Sequence, residues 1–238
     1  MNTLLHIDTS GPVAIIGISQ DLHVIATKQN SISTTHGEFV QAGVDELCKD
    51  AGIQLNNIDA IAVTLGPGSY TGLRVGLASA KGLAFALDKP LIGLSTLTLL
   101  AKAAMGHLIE TKNALVKEKN LQVFSMIDAR RMEIFGAIYD SSLNYLAPEK
   151  AFILDEALLL ALLNNGPLIC IGSGVAKTKI LTQNTDFQNN LPQFLDGSYS
   201  IQTMVDLAMI QLEAKHFEDL AYCSPAYLKE YYQIPLIK

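Results

Sequence analysis

The sequence of 238 residues predicts an α/β protein of two lobes, each laid out on a β-β-β-α-β-α plan. Three observations predict it. Three strand-like runs joined by tight turns open the chain. A strand, glycine-rich loop and helix follow one another over Ala60–Leu87. A hairpin pattern then restarts at Leu121 after a polar stretch. The lobes are expected to divide near residue 100, as 1–100 and 101–238, the second a shortened echo of the first.

The elements follow from local chemistry. Leu4–Asp8 is an apolar run that stops at Asp8-Thr9-Ser10, and Gly11-Pro12 turns the chain into the β-branched run Val13–Ser19. Gln20-Asp21 breaks before a third strand at about His23–Lys28. Thr35-x-x-Glu38 is a capping box, and Phe39, Val40, Val44, Leu47 and Cys48 mark one apolar helical face that Gly52 ends. Ala60–Leu65 is a buried strand, and a nearly apolar helix runs from Thr71 or Gly72 to Leu87. A strand at Leu91–Leu94 and a helix from Ser95 or Thr96 to about Met105 close the first half.

In the second half, Leu121–Asp128 and Glu133–Tyr139 form a hairpin around Ala129-Arg130-Arg131. Asp155–Asn164 reads as a helix, Leu168–Ile171 as a strand and Val175–Leu181 as a helix. Gln183–Tyr199 reads as polar loop, Met204–Phe217 as an amphipathic helix and Ser224–Lys238 as an irregular or extended tail. Such a repeated unit resembles the actin-like ATPase (ribonuclease H-like) superfamily. There, a strand end like Ile7-Asp8-Thr9-Ser10 is expected to meet nucleotide phosphate between the lobes.

Composition narrows the function. The 17 Lys and Arg against 23 Asp and Glu give a net charge of −6, with no basic cluster, which argues against nucleic-acid binding by the chain alone. The three cysteines, Cys48, Cys170 and Cys223, are scattered and suit a reducing cytoplasm. No apolar run reaches membrane-spanning length, and the opening MNTLLHIDTSGP lacks the basic region of a signal peptide. Arginine occurs only at positions 74, 130 and 131. Those at the hairpin are read as covering its turn, with anion binding as the other use.

Gly66-Pro67-Gly68-Ser69-Tyr70-Thr71-Gly72 carries two readings. Free N–H groups and a helix N-terminus suit an anion, so Asp8, Thr9, Ser10, Gly66, Gly68, Ser69 and Thr71 are candidate phosphate contacts. Yet the loop fits neither the Walker pattern nor Gly-x-Gly-x-x-Gly, and its glycines also suit close packing. Asp8 is either a nucleotide or magnesium ligand or a cap on its own turn. Catalytic residues are harder to find. No histidine has a partner four positions away, Val40 standing four after His36, and His36 reads as a helix-start residue. Ser69 lacks the Gly-x-Ser-x-Gly elbow, and Cys170 lies in an apolar strand that keeps its thiol inert.

LLHIDTS, GPGSYTGLRVG, Ser95-Thr96, IDARRMEIF and Pro225-Ala-Tyr-Leu-Lys229, in this order, resemble the TsaB family, also known as YeaZ or glycoprotease-like proteins. Met132 and Lys229 depart from the family's expected glycine and arginine. The resemblance implies a cytoplasmic, non-catalytic subunit in making threonylcarbamoyladenosine beside the tRNA anticodon. It implies pairing with a TsaD-type catalytic paralogue, action of a TsaE-type ATPase on that pair, and a homodimer when alone. No cofactor is expected to be required, weak ATP or ADP binding being the most the loop would give. The competing reading is an independent enzyme, either a nucleotide-dependent transferase or a peptidase. For the interface, Gly72, Gly76, Ala80 and Ala84 form one ridge of small residues and Ala78, Gly82 and Ala86 another. One ridge is expected on the chain's own sheet and the other on a second subunit beside the helix bearing Phe39, so that Phe39, Gly72, Gly76, Ala78, Ala80 and Gly82 are the interface candidates.

Overall fold

A computed structural model describes residues 1–32, 36–129, 131–183, 187 and 191–229. The first half gives β1 (Thr3–Asp8), β2 (Ala14–Gln20), β3 (His23–Asn30), α1 (His36–Ala51), β4 (Ala60–Gly66), α2 (Tyr70–Leu87), β5 (Leu91–Ser95) and α3 (Thr96–Glu110). The second gives β6 (Gln122–Asp128), β7 (Glu133–Tyr139), β8 (Tyr145–Ile153), α4 (Glu156–Asn165), β9 (Leu168–Ile171), α5 (Val175–Gln183), β10 (Gln193–Leu195) and α6 (Ile201–Glu213). Thr35, half of the expected capping box, lies outside the described residues, as does Arg130.

The strand orders are β3-β2-β1-β4-β5 and β10-β9-β6-β7-β8. Read from the other edge, the second is the first repeated: two antiparallel pairings followed by two parallel ones. This is the actin-like fold, and the echo is fuller than the sequence pattern predicts. The second half has two strands that the pattern leaves out. β8 carries Pro148, which has no N–H to donate and is tolerated because β8 is an edge strand. β10 is only 3 residues long and lies inside the stretch read as loop.

Alternation along β1 explains the layering. Leu5 and Ile7 face one core with Val40, Leu47, Leu77 and Ala80 of α1 and α2, while Leu4 faces the other way into a core with Leu100, Val123 and Met204. A third core joins Phe124, Met126 and Ile134 to Leu159 and Leu162 of α4. α3 runs unbroken across the expected boundary near residue 100 and packs on β6, β7 and β9, while α6 packs on the first sheet. Each half therefore lends its last helix to the other half's sheet, and the central core belongs to both.

Candidate functional site

Asp8 ends β1 at 4% exposure, and both its oxygens are occupied. Oδ1 accepts from the Ser10 N–H at 2.9 Å and from the Thr64 hydroxyl at 2.7 Å; Oδ2 accepts from the Tyr199 hydroxyl at 2.8 Å. The Tyr199 oxygen also lies 3.0 Å from Ser10 Oγ. Burial, and then the Asp8 charge, push the Tyr199 phenol well above its ordinary range, so it stays a proton donor. Three donors converge on one carboxylate here, which makes Asp8 a buried acceptor knitting the halves together. The bond from Ser10 N–H is the turn-capping contact, one of the two uses its sequence position suggests.

The glycine loop is filled by the chain itself. A Cβ on Gly72 would stand 2.0 Å from the Thr9 carbonyl oxygen, one on Gly76 2.2 Å from Thr9 Oγ1, and one on Gly68 2.5 Å from the Ser10 carbonyl oxygen. Thr9 Oγ1 donates to the Gly72 carbonyl at 2.7 Å, and Ser69 N–H donates to the Ser10 carbonyl at 2.7 Å. Ser69 caps α2, its Oγ accepting from Gly72 N–H at 3.3 Å. Gly66 takes φ 113°, open to glycine at little cost, and Thr71 is exposed at the first turn of α2. Among the candidate phosphate contacts, Asp8, Ser10 and Ser69 are thus joined to one another by hydrogen bonds, and Thr9 is bonded to Gly72.

Beside them lies a cleft of about 890 Å³ between the lobes, lined by Ser10, Gly68 and Ser69 on one side and by Asp128, Ser173 and Lys179 on the other. Asp128 ends β6 as Asp8 ends β1, but it is held by Lys177 Nζ at 2.7 Å. Lys179 is held by Asp196 at 2.7 Å. Among the described residues no group of three His, Cys, Asp or Glu is placed to hold a metal. Cys170 is buried and its thiol pushed up by burial, and burial pushes Cys223 up to about 11. Neither is an activated nucleophile. Among the described residues no helix is long and apolar enough to cross a membrane.

The family model described as TsaD, tRNA N6-adenosine threonylcarbamoyltransferase, matches residues 24–232. The tRNA threonylcarbamoyladenosine biosynthesis protein TsaB of Haemophilus influenzae is 30% identical over 95% of this chain and 93% of that protein. The chain belongs to the TsaB family. The Bacillus subtilis protein of the same description is 27% identical over 76% of each chain. A Pseudomonas aeruginosa structure described as similar to peptidase YEAZ superposes with TM-score 0.77 at 24% identity, covering 96% of this chain and all of that one, and so shares the fold.

In this TsaB-family chain the two ridges of α2 have separate fates. Gly72, Gly76, Ala80 and Ala84 are buried against β1 and the first sheet. That corrects the inclusion of Gly72, Gly76 and Ala80 among interface candidates: their faces are already covered by Thr9 and the core. Ala78, Gly82 and Ala86 are exposed, with nothing within 4 Å of a Cβ built on Gly82. Ala78 and Gly82 line a groove of about 520 Å³ whose other wall is Val40, Gln41 and Val44 of α1. Phe39 is half-buried and packed in the outer core, near Gly43, and Phe85 on α2 is 82% exposed. Val40, where a paired metal histidine would stand relative to His36, lies in that core.

Sequence reasoning missed Tyr199, Thr64, Tyr70 and Tyr227. Tyr199 meets Asp8 across 191 residues, and its only local signal is its place just before Ser200, the capping-box residue of α6.

Proposed function

We propose that the chain is the non-catalytic, activating subunit of a tRNA threonylcarbamoyladenosine-forming pair in the cytoplasm, its partner being a TsaD-type catalytic paralogue on which a TsaE-type ATPase acts. The likeness to a TsaB protein over 95% of this chain carries this reading. The engaged state of Asp8 and the ion-paired state of Asp128 support a role without chemistry of its own. They also fit a cleft that requires no cofactor and binds ATP or ADP weakly at most. The open outer ridge of α2 and the groove beside α1 supply a docking face, on which small side chains let another helix backbone approach closely. The same face serves a homodimer when the chain is alone. With a net charge of −6, the chain by itself gives no tRNA binding at physiological salt.

The test reconstitutes threonylcarbamoyl transfer to tRNA from purified proteins. The chain alone gives no product and hydrolyses neither peptide nor ATP usefully, while the paralogue gives more product with the chain than without it. Product from the chain alone overturns the reading, as does indifference of the paralogue to its presence.

A further inference from the structure

A second surface lies at the other end of α2, away from its outer ridge. The Arg74 guanidinium stacks 4.0 Å from the centre of the Tyr70 ring, and its Nε donates to Tyr227 Oη at 2.8 Å. Tyr227 is delivered by the segment after α6, whose Ala226 N–H donates to the Leu65 carbonyl at 2.8 Å. Beneath these groups runs a crevice of about 540 Å³ with an apolar floor of Pro67, Leu73, Phe135 and Leu228. None of the ion pairs among the described residues includes Arg74. Lys229 stands at the same rim, bonded to Glu133, whose carboxyl it holds below the usual range.

A guanidinium braced between two rings has lost much of its rotamer freedom before any ligand arrives, and its planar fork matches a carboxylate. Tyr70 and Tyr227 are 40% and 47% exposed, so aromatic and arginine groups of the kind that anchor interfaces meet at one apolar slot. We propose that this crevice docks a short acidic segment of a partner protein, its carboxylate on Arg74 and a neighbouring apolar side chain on the Leu73–Phe135 floor. Charge complementarity selects that occupant. A long polyanion such as RNA would have to approach a chain carrying −6 overall, whereas one or two carboxylates feel chiefly the local cation.

The test selects a short random-peptide phage library on the full chain, then measures synthetic winners by fluorescence anisotropy. Enriched peptides are expected to carry Asp or Glu beside an aliphatic or aromatic residue. Arg74→Ala should weaken them by about tenfold or more, and Tyr227→Phe, which frees the guanidinium without opening the core, by about threefold. Both variants are first checked by thermal melting. Peptides without acidic bias, or peptides that bind Arg74→Ala as well as the parent, overturn the proposal. So does a short uridine-only RNA that binds through Arg74 as tightly as the peptides. A chain ending at Lys229 that binds them about tenfold more tightly also overturns it, since the crevice would then belong to the chain's own last residues.

Discussion

The two ridges of α2 are alike in composition and opposite in use. On the inner ridge, glycine is required because Thr9 occupies the space a side chain would fill, with its carbonyl oxygen at Gly72 and its hydroxyl at Gly76. On the outer ridge, glycine faces open space and costs the isolated helix stability, roughly 1 kcal/mol relative to alanine. A costly residue on an exposed helix face is what a close helix–helix contact with another subunit calls for. The difference teaches that a small-residue stripe has no meaning until its neighbour is known.

The comparison is easiest to break on the inner ridge. Gly72→Ala and Gly76→Ala place a methyl group within 2.2 Å of Thr9 atoms, so β1's turn must move. Each should destabilise by about 3 kcal/mol or more in denaturant unfolding, the upper range for overpacking. An unchanged midpoint would mean that the Thr9 seat is loose. The seat also depends on the bonds around Asp8. Tyr199→Phe keeps the ring but removes a donor to a buried carboxylate, which should cost about 2 kcal/mol.

A third expectation concerns His6, in the strand that the inner ridge helps cover. Burial pushes its imidazole down to about 3, and its Nε2 lies 2.8 Å from Ser19 Oγ. It is neutral when folded and takes a proton below about 6.5 when unfolded, so the unfolded state binds more protons in that window and stability falls as pH drops. Between pH 6.5 and pH 5 the loss should be about 2 kcal/mol, and a His6→Gln variant that folds should lose that part of the slope. A flat profile over that window contradicts the buried neutral state. The smallest effect belongs to the outer ridge: Gly82→Ala should stabilise the isolated chain by about 1 kcal/mol.

Much of this was legible in the sequence, for identifiable reasons. β1, β2, β4, β5 and α2 announce themselves by apolar runs and by Gly66-Pro67-Gly68, because strands buried on both faces and tight turns leave local marks, while β3, with one face exposed, is marked by the break at Gln20-Asp21. The two ridges follow from 3.6-residue spacing. What spacing alone does not carry is which ridge faces inward, since that depends on where Thr9 comes to lie. β8 hid behind Pro148 and an exposed edge pattern, and β10 behind its brevity. The candidate phosphate residues were found together, but their engagement was not, because Tyr199 reaches Asp8 only through the exchange of α3 and α6 between lobes. In the sequence Arg74 is marked only as one of three arginines. Its bracing between Tyr70 and Tyr227 needed the tail's path along β4.

The central claim is that the outer face of α2 is kept open for another subunit, and a pair of leucine substitutions tests it most directly. Ala80→Leu and Gly82→Leu are purified and each is compared with the parent by thermal melting and by light scattering, alone and mixed with the catalytic paralogue. Ala80→Leu should melt lower, because position 80 is fully buried. Gly82→Leu should melt at or above the parent as a monomer, yet lose self-association and fail to bind the paralogue. If Gly82→Leu assembles normally, the outer face of α2 is not the docking surface.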